Sequence, residues 1–123
     1  MPAVEVLYYR EGRRVLVEEW LAGIDNGAAL VCLARLGCLS RKGHELRRPA
    51  GTYLRDGVYE LRAKWRGVNY RMLYFFHGRS AVVVSHGFTK QRARVPELEI
   101  QVALARRSRF ATDPEGHTYR PGG

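Results

Sequence analysis

Apolar and polar positions alternate between two periods along this chain. Residues 3–9, AVEVLYY, are short and β-prone and predict a strand, with a turn at Gly12, Arg13 and Arg14. From Val15, apolar residues recur at Val15, Leu16, Trp20 and Leu21, which is helical spacing, and Gly23 closes that helix. Asp25 and Asn26 can cap a second helix, which carries Ala29, Cys32, Leu33 and Leu36 on one face. Gly37 either ends that helix or only weakens it. Two short helices on a tight link predict a helical hairpin. Residues 39–56, LSRKGHELRRPAGTYLRD, are mostly polar and interrupted by Pro49 and Gly51, which predicts loop or a ragged helix end.

Three strands are expected next, at 57–65, 68–77 and 80–88, separated by Arg66-Gly67 and Gly78-Arg79. Gly-X suits a type II′ turn; Arg-Gly requires positive φ at the arginine in a type I′ turn. Two-residue turns make an antiparallel meander in which Arg62 lies opposite Arg71, and Arg71 opposite His86. Those three side chains then form one row on one sheet face. Glu60, Lys64, Asn69 and Phe88 share that face. The other face carries Tyr59, Leu61, Ala63, Trp65, Val68, Tyr70, Met72 and Tyr74 and should bury against helices. Pro96 opens a last helix, with Glu97 and Glu99 at its positive end, Arg106 and Arg107 at its negative end, and apolar positions at Leu98, Ile100, Val102, Leu104 and Ala105. Residues 111–123 are expected to be a mobile C-terminal tail, leaving 1–110 as the domain. The fold class predicted is α+β.

Length and composition narrow the function. At 123 residues and 46% apolar, the chain suits one domain with a real core rather than a disordered segment. It has no run long and apolar enough to cross a membrane, and its start lacks the basic, then apolar pattern of a signal peptide, so the cytoplasm is the expected compartment. Cys32 and Cys38 match neither a disulfide scaffold nor a zinc site and read as buried thiols. No cofactor is implied.

Charge changes the picture more. The formal charge is +9, and residues 41–94 alone hold thirteen basic and three acidic side chains, while the flanking segments are near neutral. Eighteen of the twenty-one basic residues are arginine, which favours bidentate phosphate contact over simple solvation. A polyanion partner follows, with a solvated basic face as the plain alternative. Like charges side by side, as in Arg62–Arg71–His86, make sense with an anion over them; alternatively Glu60 neutralises them diagonally. Lys90, Arg92 and Arg94 on the exit loop could close over the same face, and Tyr53 and Arg55 could flank it.

Three runs together resemble a known family: YLRDGVYELR at 53–62, NYRMLYFF at 69–76, and SHGFTKQRARVPELEIQVALARR at 85–107. They are similar to the phage-derived Gp49-like, HigB-type toxins of the RelE/ParE superfamily, over roughly residues 3–110. The resemblance implies an N-terminal strand and two-helix hairpin on a twisted antiparallel sheet, with a C-terminal helix. It also implies a type II toxin–antitoxin toxin that cleaves mRNA, commonly on the ribosome and without a metal, neutralised by an antitoxin that is usually a helix-turn-helix protein. By motif it assigns the catalytic set to Arg62, Arg71, His86 and Lys90. Gln91 stands where relatives often carry a second lysine. Tyr119 lies too deep in the tail to take the role of the tyrosine that some RelE-like proteins use.

RNA brings its own nucleophile, the 2′-OH, so an enzyme must align it, remove its proton, stabilise the phosphorane and protonate the 5′-oxygen. Arg62 and Arg71 would hold the non-bridging oxygens. Two neighbouring cations would keep His86 neutral as a base, and Lys90 or an arginine would assist the leaving oxygen. Lys64, Asn69, Arg55, Arg92 and Arg94 are candidates for binding RNA, and Phe88 and Tyr53 for stacking a base. Two other functions remain open: a ParE-like poison of DNA gyrase, and a phage accessory module that binds RNA without cleaving it.

Overall fold

A computed structural model describes residues 3–47, 50–90 and 94–122. The elements are strands β1 (Glu5–Glu11) and β2 (Arg14–Val15), helices α1 (Leu16–Gly23) and α2 (Asn26–Lys42), then strands β3 (Gly51–Arg55), β4 (Val58–Trp65), β5 (Val68–His77) and β6 (Ala81–Lys90). Helix α3 (Glu97–Thr112) and a two-residue strand β7 (Thr118–Tyr119) complete the chain. The sheet order is β2-β1-β6-β5-β4-β3, with β7 also on β1. The architecture is α+β, consistent with the fold expected. The sheet is mixed rather than wholly antiparallel, because β1 lies parallel to β6.

Asp25 caps α2 by accepting from the Gly27 N–H at 2.8 Å. Gly37 does not end α2, which runs on to Lys42 and buries Ala28, Cys32, Leu36 and Leu39. That stripe and Val17 of α1 pack on Leu61, Ala63, Tyr70, Met72 and Tyr74, the apolar sheet face expected to meet helices. On the opposite face α3 covers only one end. It buries Ile100, Ala103 and Phe110, against Leu73 and Val58 and against Phe75 and Val83. Leu98 and Ala105 of the expected stripe face solvent instead, because the sheet lies against the Ile100–Ala103–Phe110 side of the helix.

Two segments differ from expectation. Within 39–56, β3 forms as the outer strand, joined to β4 through Asp56 and Gly57, both at positive φ (52° and 85°). That is the backbone of a type I′ hairpin, for which Asp-Gly is a preferred pair. The segment expected to be a mobile tail is instead packed. Thr118 and Tyr119 pair with Tyr9 and Tyr8, the His117 ring stacks on Tyr9, and Arg120 reaches Glu5 at 3.0 Å.

The first meander turn is as expected, with Arg66 at φ 49°, Gly67 at φ 80°, and Arg62 opposite Arg71. The second is not. His77 pairs with Ala81, so the loop spans three residues, and the Ser80 carbonyl accepts from Glu5 of β1 at 2.8 Å. A bulge at Ser85 then adds one more residue. Arg71 therefore faces Phe88, and His86 faces Leu73. The two single-residue shifts sum to an even number, so the side chains beyond the bulge, His86 and Phe88 among them, keep their predicted face, while Val82, Val83 and Val84 between the two shifts change faces.

Candidate functional site

Three rows cross β4, β5 and β6 on the face that α3 leaves partly open. They are Lys64–Asn69–Lys90, Arg62–Arg71–Phe88 and Glu60–Leu73–His86. The expected row of Arg62, Arg71 and His86 is thus corrected: all three share a face, but His86 sits one row further along.

Glu60 organises the cluster. Its carboxylate is 1% exposed, and it meets Arg62 Nε at 2.8 Å, Arg71 Nε at 3.0 Å and Lys90 Nζ at 3.5 Å. One carboxylate against three cations leaves a net positive centre in a poorly solvated place. Burial, and secondarily the Arg62 charge, pull the Arg71 pKa below its ordinary value, with Glu60 opposing. The Arg71 guanidinium also donates from Nη1 to the Tyr70 carbonyl at 3.0 Å. Its contact with Glu60 is ionic rather than a well-aligned hydrogen bond. Arg71 Nε and Glu60 Oε2 are both buried without a hydrogen-bond partner among the described residues.

The cluster opens to solvent through a cavity of about 190 Å³ lined by Arg35, Arg62, Ala63, Lys64, Asn69 and Arg71. Lys64 and Asn69 therefore join Arg62 and Arg71, as expected. Arg35 of α2 was not anticipated. Its signal was its isolation, as the one charged residue between Asn26 and Ser40.

His86 is placed differently. Its Nε2 lies 2.9 Å from Glu99 of α3, and its Nδ1 lies 2.8 Å from the Ser85 hydroxyl. A neutral ring with its proton on Nε2 satisfies both contacts. Its pKa is pushed below the ordinary value of 6.5, by burial first and by Arg106, while the hydrogen bond to Glu99 opposes. The direction matches expectation, but Arg62 and Arg71 are not its cause. Arg106 of α3 donates to the Ser85 carbonyl at 3.0 Å, completing a buried polar chain that ties α3 to β6.

The remaining candidates separate. Phe88 is half-buried against Val58, Leu73 and Ala103, so its ring packs under α3 rather than standing free. Arg55 is ion-paired with Asp56 and with Glu97 of α3. Tyr53 pairs with Tyr59 and so points to the other sheet face, where it lines a separate cavity with His44 and Arg47. Tyr53 therefore does not flank the cation cluster, because β3 sets its register through Tyr59. Arg94 is exposed, and Arg92 lies outside the described residues.

A model of the phage-derived Gp49-like proteins (DUF891) matches residues 19–108. The chain belongs to that family. The family is RelE-like. The matched span runs from α1 through most of α3 and includes Glu60, Arg62, Arg71, His86, Lys90 and Arg35. No curated protein matches the chain. Among the described residues, no helix is long and apolar enough to cross a membrane.

Proposed function

We propose that this Gp49-like protein is the toxin of a type II toxin–antitoxin pair, of the HigB-type branch, and that it cleaves mRNA by attack of the 2′-OH on the adjacent phosphate. The observation that carries this reading is the net-positive Arg62–Arg71–Lys90 cluster around Glu60, opening into a cavity lined with cations. An RNA phosphate entering that cavity meets planar guanidinium groups suited to its non-bridging oxygens. Glu60 holds the three cations at fixed positions, so little reorganisation is needed when charge grows on the phosphorane. The 2′-OH proton passes to solvent water as the 2′-O–P bond forms, both His86 ring nitrogens being engaged, and Lys90, at the end of β6, is the candidate to protonate the 5′-oxygen as the P–O5′ bond breaks.

The partners in this reading are mRNA, bound on the ribosome, and an antitoxin with a helix-turn-helix domain, acting in the cytoplasm. The Gp49-like membership and the RelE-like fold support it. So does the concentration of basic residues in 41–94, the segment that builds β3 to β6. One observation favours a second reading. Both His86 ring nitrogens are engaged, by Ser85 and Glu99, which suits a module that binds RNA without a histidine base. Induction of the protein without its antitoxin tests the choice. Growth arrest with shortened translated mRNAs is expected. Arrest with intact mRNA and trapped gyrase–DNA complexes would move the protein to the gyrase-poison class, and no arrest would leave the binding module.

A further inference from the structure

Arg35 comes from the other side of the sheet, yet it lines the same cavity as Arg62, Lys64 and Arg71. It sits beside the buried stripe of α2, between Cys32 and Leu36. From there its long side chain shares the cavity wall with Ala63 of β4. Its Nε is buried without a hydrogen-bond partner, and among the described residues no carboxylate lies within 4.0 Å of its guanidinium. Arg71 Nε, on the same cavity, lacks a hydrogen-bond partner too. The cavity lining holds four cationic side chains and no acid; Glu60 compensates Arg62 and Arg71 in part, while among the described residues Arg35 and Lys64 have no carboxylate within 4.0 Å, so an anion in the cavity would relieve their repulsion.

We propose that Arg35 is a phosphate ligand of this cavity, gripping an RNA backbone phosphate from the helix side while Arg62 and Arg71 grip from the sheet. This rests on the reading above and adds to it a residue on α2, outside the sheet face that the motifs mark. A phosphate fits better than a carboxylate from a protein partner. The lining is polar and cationic with only Ala63 apolar, and a tetrahedral group offers oxygens to guanidiniums converging from different directions.

The probe is a single-stranded RNA oligonucleotide carrying 2′-O-methyl ribose throughout, which cannot cleave itself. Its binding to the full chain is followed by fluorescence anisotropy between about 50 and 200 mM salt. Arg35→Gln is expected to bind about tenfold more weakly, the loss of one charge-assisted contact. It should also flatten the slope of log K against log salt by about 0.7, one phosphate contact on a single strand. In the wild type, inorganic phosphate should shift the Arg35 Nε–H resonance, whereas chloride at equal ionic strength should not. Unchanged affinity and slope for Arg35→Gln, with Arg71→Gln impaired, would overturn the role of Arg35 and leave the functional reading standing. If neither variant differs from wild type, the functional reading fails with it. An Arg35 resonance that responds to polyglutamate but not to phosphate or RNA would make the cavity a contact for an acidic protein partner, which also overturns the proposal.

Discussion

Glu60→Gln is the sharpest single perturbation of the cluster. The change keeps the side-chain shape, so no cavity opens, and removes only the charge. It leaves Arg62, Arg71 and Lys90, all within 3.5 Å of the lost carboxylate, facing a neutral amide. Removing one partner of a buried ion pair costs about 3–5 kcal/mol, because the other charge stays buried and unpaired. Arg62 keeps 28% of its side chain in water while Arg71 and Lys90 keep 10% and 7%, so two of the three cations are left stranded. Partial solvation of Arg62 places the loss near the lower end, about 3 kcal/mol. For a domain of this size that is a fall in Tm of roughly 10–15 °C. Thermal melts followed by circular dichroism in low-sulfate buffer measure it. Adding Arg71→Met to Glu60→Gln should restore part of the loss, since one stranded charge is removed. A Glu60→Gln protein within about 1 kcal/mol of wild type would refute the account of Glu60 as the group that holds the three cations together.

His86 and Gly87 give two further expectations. The folded-state pKa of His86 lies below its ordinary value of 6.5, so the unfolded chain binds the proton more readily. This contribution to stability is therefore present above pH 6.5 and is lost as pH falls from there through the folded value. Between pH 7.5 and 5 the wild type should lose more stability than His86→Gln, and parallel profiles would show that the Ser85–His86–Glu99 chain does not bear on folding. A Cβ on Gly87 would stand 2.2 Å from the Trp20 ring. Gly87→Ala is accordingly expected to cost about 1–3 kcal/mol in urea melts. Adding Trp20→Leu should relieve the strain, and an unaffected Gly87→Ala would show that α1 can move off the sheet freely.

Legibility in the sequence followed the range of the interactions. The β4–β5 register could be read because Arg66-Gly67 is a local turn whose length fixes every cross-strand pair. The β5–β6 register could not, since Ser80 is drawn into a bond with β1, some 75 residues away in sequence, and the Ser85 bulge is held by Arg106 of α3. The face assignments of His86 and Phe88 survived only because those two shifts preserve parity. Strand β3 was hidden by Pro49 and the surrounding charges, although Asp56-Gly57 marked its hairpin. The ordered end of the chain depends on Tyr119 meeting Tyr8 and on His117 meeting Tyr9, contacts that no local pattern announces. In the site, Arg62, Arg71, Lys64 and Asn69 came together as periodicity suggested, and Lys90, expected on the exit loop, joins them as the last residue of β6. Tyr53 and Arg55 did not, because their partners on Tyr59 and Glu97 take them elsewhere. Arg35 escaped notice because its role depends on a helix side chain reaching the sheet edge.

The central claim is that the cations around Glu60 hold an RNA phosphate during transfer to the neighbouring 2′-OH. The most direct test is the chemistry of the RNA ends formed when purified protein is added to a translating extract, compared between wild type and an Arg71→Gln variant shown by circular dichroism to be folded. The account predicts new mRNA fragments ending in 2′,3′-cyclic phosphate with the wild type and at least a hundredfold fewer with Arg71→Gln, about the effect of removing one donor that stabilises a transition-state oxyanion. Fragments formed equally by both proteins, or intact mRNA with both, would contradict it.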